Sequence, residues 1–330
     1  MHTPILILGA GITGLVAGRA LQAKGHEVAL VDKARGPGGR LASKRLSDWH
    51  FDMGAQYITG RSPQMQALLR EWQEQGWLAP WQGEFAHWQQ NSFTPHQGAQ
   101  RYVGIPRMSA LSRGLSEALT ITCGQAVTHL QRVDQHWQLT LANGEQYTAA
   151  TLLSTLPLPQ LQNLLNETPE LAPLCALLPA PAYQPCWALG YRLLRPWPSA
   201  YASISFKDHA LLEFACLENS KPGRNGPPVL SVQCNAEFSA QHLDIHPDEL
   251  SQLVLHSLQD LLGQPLLVQD YYAHRWLYAK ALPTPGQAPC LWLPEQQLGM
   301  AGDIFSAGKV EGAVCSALAL SAALENCTNK

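Results

Sequence analysis

The strongest constraint on this chain lies between residues 5 and 32. Ile5-Leu6-Ile7-Leu8 is a short apolar run of the kind buried in a parallel sheet, and it leads directly into Gly9-Ala10-Gly11-Ile12-Thr13-Gly14. A helical pattern follows through Leu15, Ala17, Ala20 and Leu21, with Gly25 where a helix stop belongs. A second apolar strand, Val28 to Val31, ends at Asp32. The spacing G-x-G-x-x-G is a weak signal by itself. Between a strand and a helix, with an acid eighteen residues after the last glycine, it reads as a dinucleotide-binding fingerprint. Gly9 allows the tight turn, Gly11 lets backbone approach a pyrophosphate, and Gly14 lets the helix pack close to the strand. The helix start at Ile12 and Thr13 offers free N–H groups and a positive dipole end to phosphates, and Asp32 would accept hydrogen bonds from ribose hydroxyls. The fingerprint alone does not separate NAD from FAD.

The next segment favours FAD. Lys33-Ala34-Arg35-Gly36-Pro37-Gly38-Gly39-Arg40 is a basic, glycine-rich loop, suited to lie along a dinucleotide's phosphates with Lys33, Arg35 and Arg40 as charge partners and Gly39 admitting close approach. An NAD enzyme more often continues into an ordinary helix; a solvated surface loop is the other reading. Near the far end, Gly299-Met300-Ala301-Gly302-Asp303 is a short strand ending in Gly-Asp, whose acid could bond a ribityl hydroxyl or flank a pyrophosphate. A helix is expected from about Val310, through Ala313, Ala317, Leu320 and Leu324. Its first turn, Val310-Glu311-Gly312-Ala313, would aim a partial positive charge at the flavin edge that becomes anionic on reduction. Taken alone, that helix reads equally as packing.

Composition excludes several classes. Twenty-five acids stand against 22 bases, a net charge of −3, so there is no basic footprint for nucleic acid or an anionic membrane. No apolar run approaches the ~18–20 residues of a membrane span. The N-terminal apolar run is a strand and not a signal peptide, and a cytoplasmic setting is expected. The eight cysteines are scattered without a C-x-x-C, which reads as reduced, mostly buried thiols. His242 and His246 flank Asp244 but lack further ligands and precede Pro247, so no metal is expected. A second G-x-G-x-x-G is absent, so a nicotinamide substrate would have to bind in the other domain.

Several motifs resemble a known family. The run from Asp32 through Arg35-Gly36 to Gly38-Gly39-Arg40 resembles the second signature of the FAD-dependent amine oxidase superfamily. Arg40-Leu41-Ala42-Ser43 with Phe51-Asp52-Met53-Gly54-Ala55-Gln56-Tyr57-Ile58-Thr59 is similar to the renalase family and its bacterial members. Further similar segments are Arg101-Tyr102-Val103-Gly104 with Met108-Ser109-Ala110-Leu111, and Ala273-His274-Arg275-Trp276-Leu277-Tyr278-Ala279. The last is Ala301-Gly302-Asp303 with Gly308-Lys309-Val310-Glu311-Gly312-Ala313. The motifs run from residue 5 to about 320 and match least between about 160 and 265. The resemblance implies a two-domain flavoprotein like p-hydroxybenzoate hydroxylase. An α/β, Rossmann-type FAD domain would join an α+β substrate domain built on an antiparallel sheet, with FAD bound non-covalently. It also implies oxidation of aberrant dihydro-NAD(P) isomers, with electrons passed to O2 to give H2O2 and NAD(P)+.

The expected FAD domain comprises 1–75, 101–160 and 275–330, and the substrate domain 76–100 and 161–274. Helices are expected after Ser62-Pro63 and over Met108 to Leu119, then a meander of Val127–Val133, Trp137–Leu141 and a third strand after Asn143-Gly144. Strands near 186–194, 203–206, 211–216 and 229–234 precede a helix from Asp248 to Leu262. Loss of hydride from a dihydropyridine is driven by aromatisation, so positioning residues are expected and not an acid–base dyad. Gly54, Ala55, Gln56 and Tyr57 could face the flavin, and backbone at Val127 could meet the adenine. Arg101 could pair with a substrate phosphate, and Trp187, Arg275, Trp276 and Tyr278 could wall the nicotinamide. Core packing is the other reading for the aromatics, and an ion pair for Arg275. The expected partners are a small dinucleotide substrate and O2; the sequence carries no signal of oligomeric state. Two other functions stand beside the leading one: an amine oxidase or desaturase using the same flavin machinery, and a flavin-binding protein without turnover.

Overall fold

In the computed structural model, which describes residues 2–306 and 308–328, the chain forms two compact units, each discontinuous in sequence. The first unit draws on 1–40, 112–182 and 281–330, and the second on 41–111 and 183–280. Residues 41–75, 101–111 and 275–280, expected in the FAD domain, pack within the second unit, and 161–182, expected in the substrate domain, within the first.

The first unit is built on a parallel sheet. His2–Leu8 pairs in parallel with Val28–Asp32 on one side and Gln146–Ser154 on the other, and Val28–Asp32 pairs with Thr120–Cys123. Leu6, Ile7, Leu30, Leu152 and Leu153 are all fully buried, because helices cover the faces of such a sheet and leave no solvent side. The Ile12–Gln22 helix makes the first crossover, and the Lys309–Thr328 helix packs beside it. Gln146–Ser154 serves two further partners along its other edge. Its first half runs antiparallel to His136–Leu141, and its end runs parallel to Leu298–Met300. The Val127–Val133 and His136–Leu141 hairpin turns through Asp134 and Gln135 at φ +47° and +68°, the left-handed pair that matches the strand twist.

The second unit carries a mixed sheet in the order Val268–Ala281, Tyr183–Leu193, Val229–Cys234, Leu212–Leu217, Ser203–Phe206, Phe85–Gln89 and Ser92–Pro95. The pairs among Tyr183–Leu193, Val229–Cys234, Leu212–Leu217 and Ser203–Phe206 are antiparallel, as expected, and Phe85–Gln89 adds to Ser203–Phe206 in parallel. The reason is connectivity: the edge hairpin arrives from a distant part of the chain, so no tight turn forces an antiparallel join. One face packs Trp187, Leu189, Tyr191, Leu230 and Val232 against Leu250, Val254 and Leu258 of the Pro247–Leu262 helix. The helix expected over Met108 to Leu119 is shorter, spanning Ser109–Ser116.

His246 caps the Pro247–Leu262 helix by accepting from the Asp248 N–H, and His242 stacks on Phe238. Among the described residues, no cluster of three His, Cys, Asp or Glu side chains could hold a metal ion, and no helix is long and apolar enough to cross a membrane. Seven of the eight cysteines are free thiols; the Cys327 side chain lies outside the described residues. On the sheet's other face, a Cβ added at Gly190 would lie 2.4 Å from a ring carbon of fully buried Phe51. Gly190→Ala is expected to overpack this contact and destabilise the fold by about 1–3 kcal/mol, read as a lower urea midpoint at constant m.

Candidate functional site

In the first unit the three fingerprint glycines divide into two kinds. A Cβ on Gly14 would sit 2.0 Å from the Gly9 carbonyl oxygen, and Gly9 itself holds φ +96°. The protein's own packing therefore demands both. Gly11 is different. Its φ of −72° suits any residue, and a Cβ there would meet nothing within 4 Å. No contact among the described residues requires this glycine, so what it preserves is open space at the start of the Ile12–Gln22 helix. No side chain caps that helix, and the N–H groups of Ile12, Thr13 and Gly14 have no intrahelical carbonyl. Space, free donors and a positive dipole end together fit a pyrophosphate. Gly302 repeats the pattern: it is buried, and a Cβ on it would meet nothing within 4 Å.

The loops around this turn are tied to it. Asp32 Oδ2 accepts from the Ala10 N–H at 2.6 Å and Oδ1 from the Ala34 N–H at 2.7 Å. The carboxylate thus pins the glycine turn to the basic loop, while each oxygen keeps a further lone pair for a ribose hydroxyl. The Gly38 N–H donates to the Ala10 carbonyl at 2.8 Å, and a Cβ on Gly39 would lie 3.3 Å from Gly11 Cα. Lys33 and Arg35 are exposed on the same loop. Arg40 forms a bidentate pair with Asp303, both contacts at 2.6 Å. The sequence reading gave these two residues separate roles; the structure joins them and neutralises the acid beside Gly302. The Gly308 N–H donates to the Asp303 carbonyl at 3.2 Å, and Val310, Glu311, Gly312 and Ala313 follow in the first turn of the terminal helix. Val127 begins its strand two residues after Gln125, whose N–H donates to the Asp32 carbonyl at 3.1 Å.

In the second unit, Gly54-Ala55-Gln56-Tyr57 packs against the sheet face opposite the Pro247–Leu262 helix. The Gly54 carbonyl accepts from Gln233 Nε2 at 2.6 Å, and the Met53 carbonyl from Trp276 Nε1 at 2.7 Å. Gln56 is turned inward. Its Nε2 donates to the carbonyls of Asp52 and Gly54, and its Oε1 accepts from Lys221 Nζ at 3.0 Å and Cys216 Sγ at 3.3 Å. All its bonding capacity toward a ligand is taken up internally. Tyr57 lies under the Arg101 guanidinium, 4.4 Å from the ring centre. The segments carrying these two residues are locked together by reciprocal 2.8 Å hydrogen bonds between Ile58 and Tyr102.

The four aromatic and basic residues expected to wall a nicotinamide do not share a wall. Arg275 and Trp276 are consecutive in Val268–Ala281, so they point to opposite faces. Arg275 pairs with Asp244 at 2.7 Å and lies 5.9 Å over the Trp187 ring on the helix-covered side. Trp187 is part of that core and donates to the His242 carbonyl at 3.0 Å. Trp276 points to the Gln56 side, and Tyr278 packs edge-on against Tyr183.

A buried ionic network escaped the sequence reading. Lys221 Nζ lies 2.8 Å from Glu218 and 3.2 Å from Asp52; Arg224 lies 2.6 Å from Asp52 and 3.3 Å from Glu218. Ser43 and the Met108 N–H also donate to Asp52, at 2.6 and 3.0 Å, and Ser231 to Glu218 at 2.6 Å. Burial alone would raise the Asp52 carboxyl, but Lys221 and Arg224 hold it well below the usual carboxylate range. Burial would likewise depress Lys221; the surrounding Cys216, Glu218 and Asp52 hold it above the ordinary lysine range. Burial pushes the Cys216 thiol up to about 12. The sequence signal was the spacing Glu218-x-x-Lys221-x-x-Arg224, which reads as a solvated turn until a fold covers it.

A glycine turn on a parallel sheet, joined to a sheet-rich second unit, defines a dinucleotide-binding fold of the flavoprotein class. A model of an NAD(P)-binding Rossmann-like domain matches residues 7–72, and one of the flavin containing amine oxidoreductases matches residues 74–324. The chain belongs to the flavin containing amine oxidoreductase family, a membership that implies FAD as its cofactor.

Solved structures similar in fold include a protein assigned as a protoporphyrinogen oxidase from Exiguobacterium sp. 255-15 (TM-score 0.75, 14% identity, 98% of this chain and 99% of that one). Others are cyclohexylamine oxidase from Brevibacterium oxydans (TM-score 0.71, 12%, 99% and 100%) and putrescine oxidase bound to putrescine (TM-score 0.70, 12%, 99% of each). At these identities the likeness is one of fold. A 4,4'-diapophytoene desaturase from Staphylococcus haemolyticus is 44% identical over 50 residues, 15% of this chain. That match spans about a tenth (10%) of the desaturase's own length.

Proposed function

We propose that this chain is a renalase-like oxidase of aberrant dihydro-NAD(P) isomers that holds FAD non-covalently. One observation carries the reading. Two of the strings similar to renalases, 51–59 and 101–104, meet through the Ile58–Tyr102 hydrogen bonds and the stack of Arg101 on Tyr57. Residues that resemble one family in separate stretches of sequence thus support a single surface.

The FAD pyrophosphate would be held at Gly11 and the Ile12–Thr13 helix start, the ribose by Asp32, and the C-terminal side by Gly302, Asp303 and the helix from Val310. When bound, FAD supplies a hydride acceptor that O2 re-oxidises, with H2O2 as product. Tyr57 and Arg101 would position the substrate, and Gln56 would hold its loop in place through the bonds to Lys221 and Cys216. No side chain needs to move a proton, because the dihydropyridine becomes aromatic when it loses hydride.

The test is anaerobic mixing of holoprotein with each dihydro-NAD(P) isomer. Bleaching of the flavin absorbance within one turnover, with NAD(P)+ formed stoichiometrically, is the expected result. A flavin that stays oxidised with every isomer would overturn the reading. The family match and the local identity to a desaturase support a second reading, oxidation of an amine or desaturation of a hydrocarbon by the same flavin. Bleaching by a member of an amine or polyene panel, and by no dihydronicotinamide, would select it.

A further inference from the structure

Five charged side chains are buried in the second unit: Asp52, Arg101, Glu218, Lys221 and Arg224. Four of them close on one another as two acids and two bases. Arg101 is the fifth, only 5% exposed, and it leaves the interior one positive charge in excess. Its guanidinium makes one side-chain hydrogen bond, to the neutral Ser203 hydroxyl at 2.8 Å. Its other neighbours are rings: Phe85 at 4.0 Å, Tyr57 at 4.4 Å and Trp81 at 5.7 Å. Among the described residues, no carboxylate lies within ion-pair distance of it.

Ring faces attract a cation but replace only part of its lost hydration. Burial accordingly pulls the Arg101 guanidinium below its ordinary value, opposed by Tyr57 and Cys216. Its remaining N–H groups make no hydrogen bond to another side chain, and none of its nitrogens is among the fully buried side-chain atoms left without a partner. A desolvated planar donor fork, walled by aromatics and bonded to a single neutral hydroxyl, matches one kind of ligand group: an oxyanion taken in bidentate fashion. The same charge repels an ammonium.

We propose that Arg101 is the specificity-determining residue of this surface, receiving a phosphoryl or carboxylate oxyanion of the substrate and excluding cationic amines. The assignment rests on the dihydronicotinamide reading above, in which the pyrophosphate of the substrate supplies the oxyanion. Tyr57, Trp81 and Phe85 hold the guanidinium in place, and Ser203 orients it.

The test uses holoprotein as wild type and as Arg101→Met and Arg101→Gln, at constant ionic strength. Replacing the buried, uncompensated cation by methionine is tolerated by the core, and glutamine keeps a polar group opposite Ser203. Two donors are compared: dihydro-NAD isomers, which carry phosphates, and the matching N-methyl dihydronicotinamides, which carry none. Both variants are expected to lose ~100-fold in kcat/KM for the dinucleotide, through KM, and no more than ~3-fold for the N-methyl donor.

Inorganic pyrophosphate and acetate are tested as competitors and as ligands by thermal shift. Protection of wild type by pyrophosphate but not acetate identifies a phosphoryl site, the reverse a carboxylate site, and either must vanish in Arg101→Met. Equal losses on both donors, or anion protection that survives in Arg101→Met, overturns the proposal. If neither donor reduces the wild-type flavin, the function fails separately. The thermal-shift arm then still decides Arg101: no protection of wild type by either anion overturns its role.

Discussion

Gly11→Ser is expected to give an apoprotein as stable as the wild type that binds FAD about 100-fold less tightly. The two halves of this result have separate causes. Serine is among the best residues at a helix N-cap, the position Gly11 occupies, and its Cβ would meet nothing within 4 Å. The protein loses nothing by accepting it. A ligand that uses the space does lose, because the new side chain stands where the pyrophosphate must approach the helix N–H groups. Gly14→Ser is the control. Its Cβ would lie 2.0 Å from the Gly9 carbonyl oxygen, so the turn and helix must part whether or not FAD is present. Melting curves of FAD-stripped protein and FAD titrations on the same samples separate the cases. Undiminished FAD affinity in Gly11→Ser would show that the space serves no ligand.

Lys221→Met is expected to destabilise the fold by about 3–5 kcal/mol, the cost of leaving buried carboxylates short of a cation. The Lys221 and Asp52 side chains are both 0% exposed, so water cannot relieve the imbalance. The pH dependence follows from the two shifts. Asp52 titrates lower in the folded chain than in the unfolded one, so its stabilisation is present above the ordinary carboxylate range of about 4 and is lost as pH falls. Lys221 titrates higher when folded, so its contribution is full below about 10 and is lost as pH rises further. Wild type should therefore hold a broad plateau between these limits. In Lys221→Met the acid limb should move to higher pH, because Asp52 loses one of its two cations. Urea midpoints measured from pH 3 to 9 test this; an unmoved acid limb would mean that Lys221 does not set the Asp52 ionisation. Gln56 should also loosen, since Lys221 holds its carbonyl oxygen.

The elements that were legible in the chain are those whose cause is local. The apolar run at residues 5–8, the glycine turn and the acid at 32 specify one strand, helix and strand without reference to anything distant. The meander needs only alternation and short turns. The strands over 203–206 and 229–234 fall where alternating apolar residues put them, Ser203–Phe206 and Val229–Cys234. Arg275 lies with Trp187 on one face of the sheet and Trp276 on the other, for a reason also rooted in strand geometry. Neighbours in a strand face opposite ways, but which face a helix will cover is decided by the chain that packs there, here Pro247–Leu262.

What the sequence by itself determined was the dinucleotide-binding turn and the kinds of element around it, because glycine conformations and hydrophobic periods act over a few residues. Only the tertiary structure decided the partners of the charges. Arg40 meets Asp303 across 263 residues, and Asp52 meets Lys221 across 169. Arg101 meets no acid among the described residues. A charge reads as solvated in sequence because water is its default partner. Whether folding replaces that water with a carboxylate, with aromatic rings or with space for a ligand depends on which distant segments the packed sheets bring alongside.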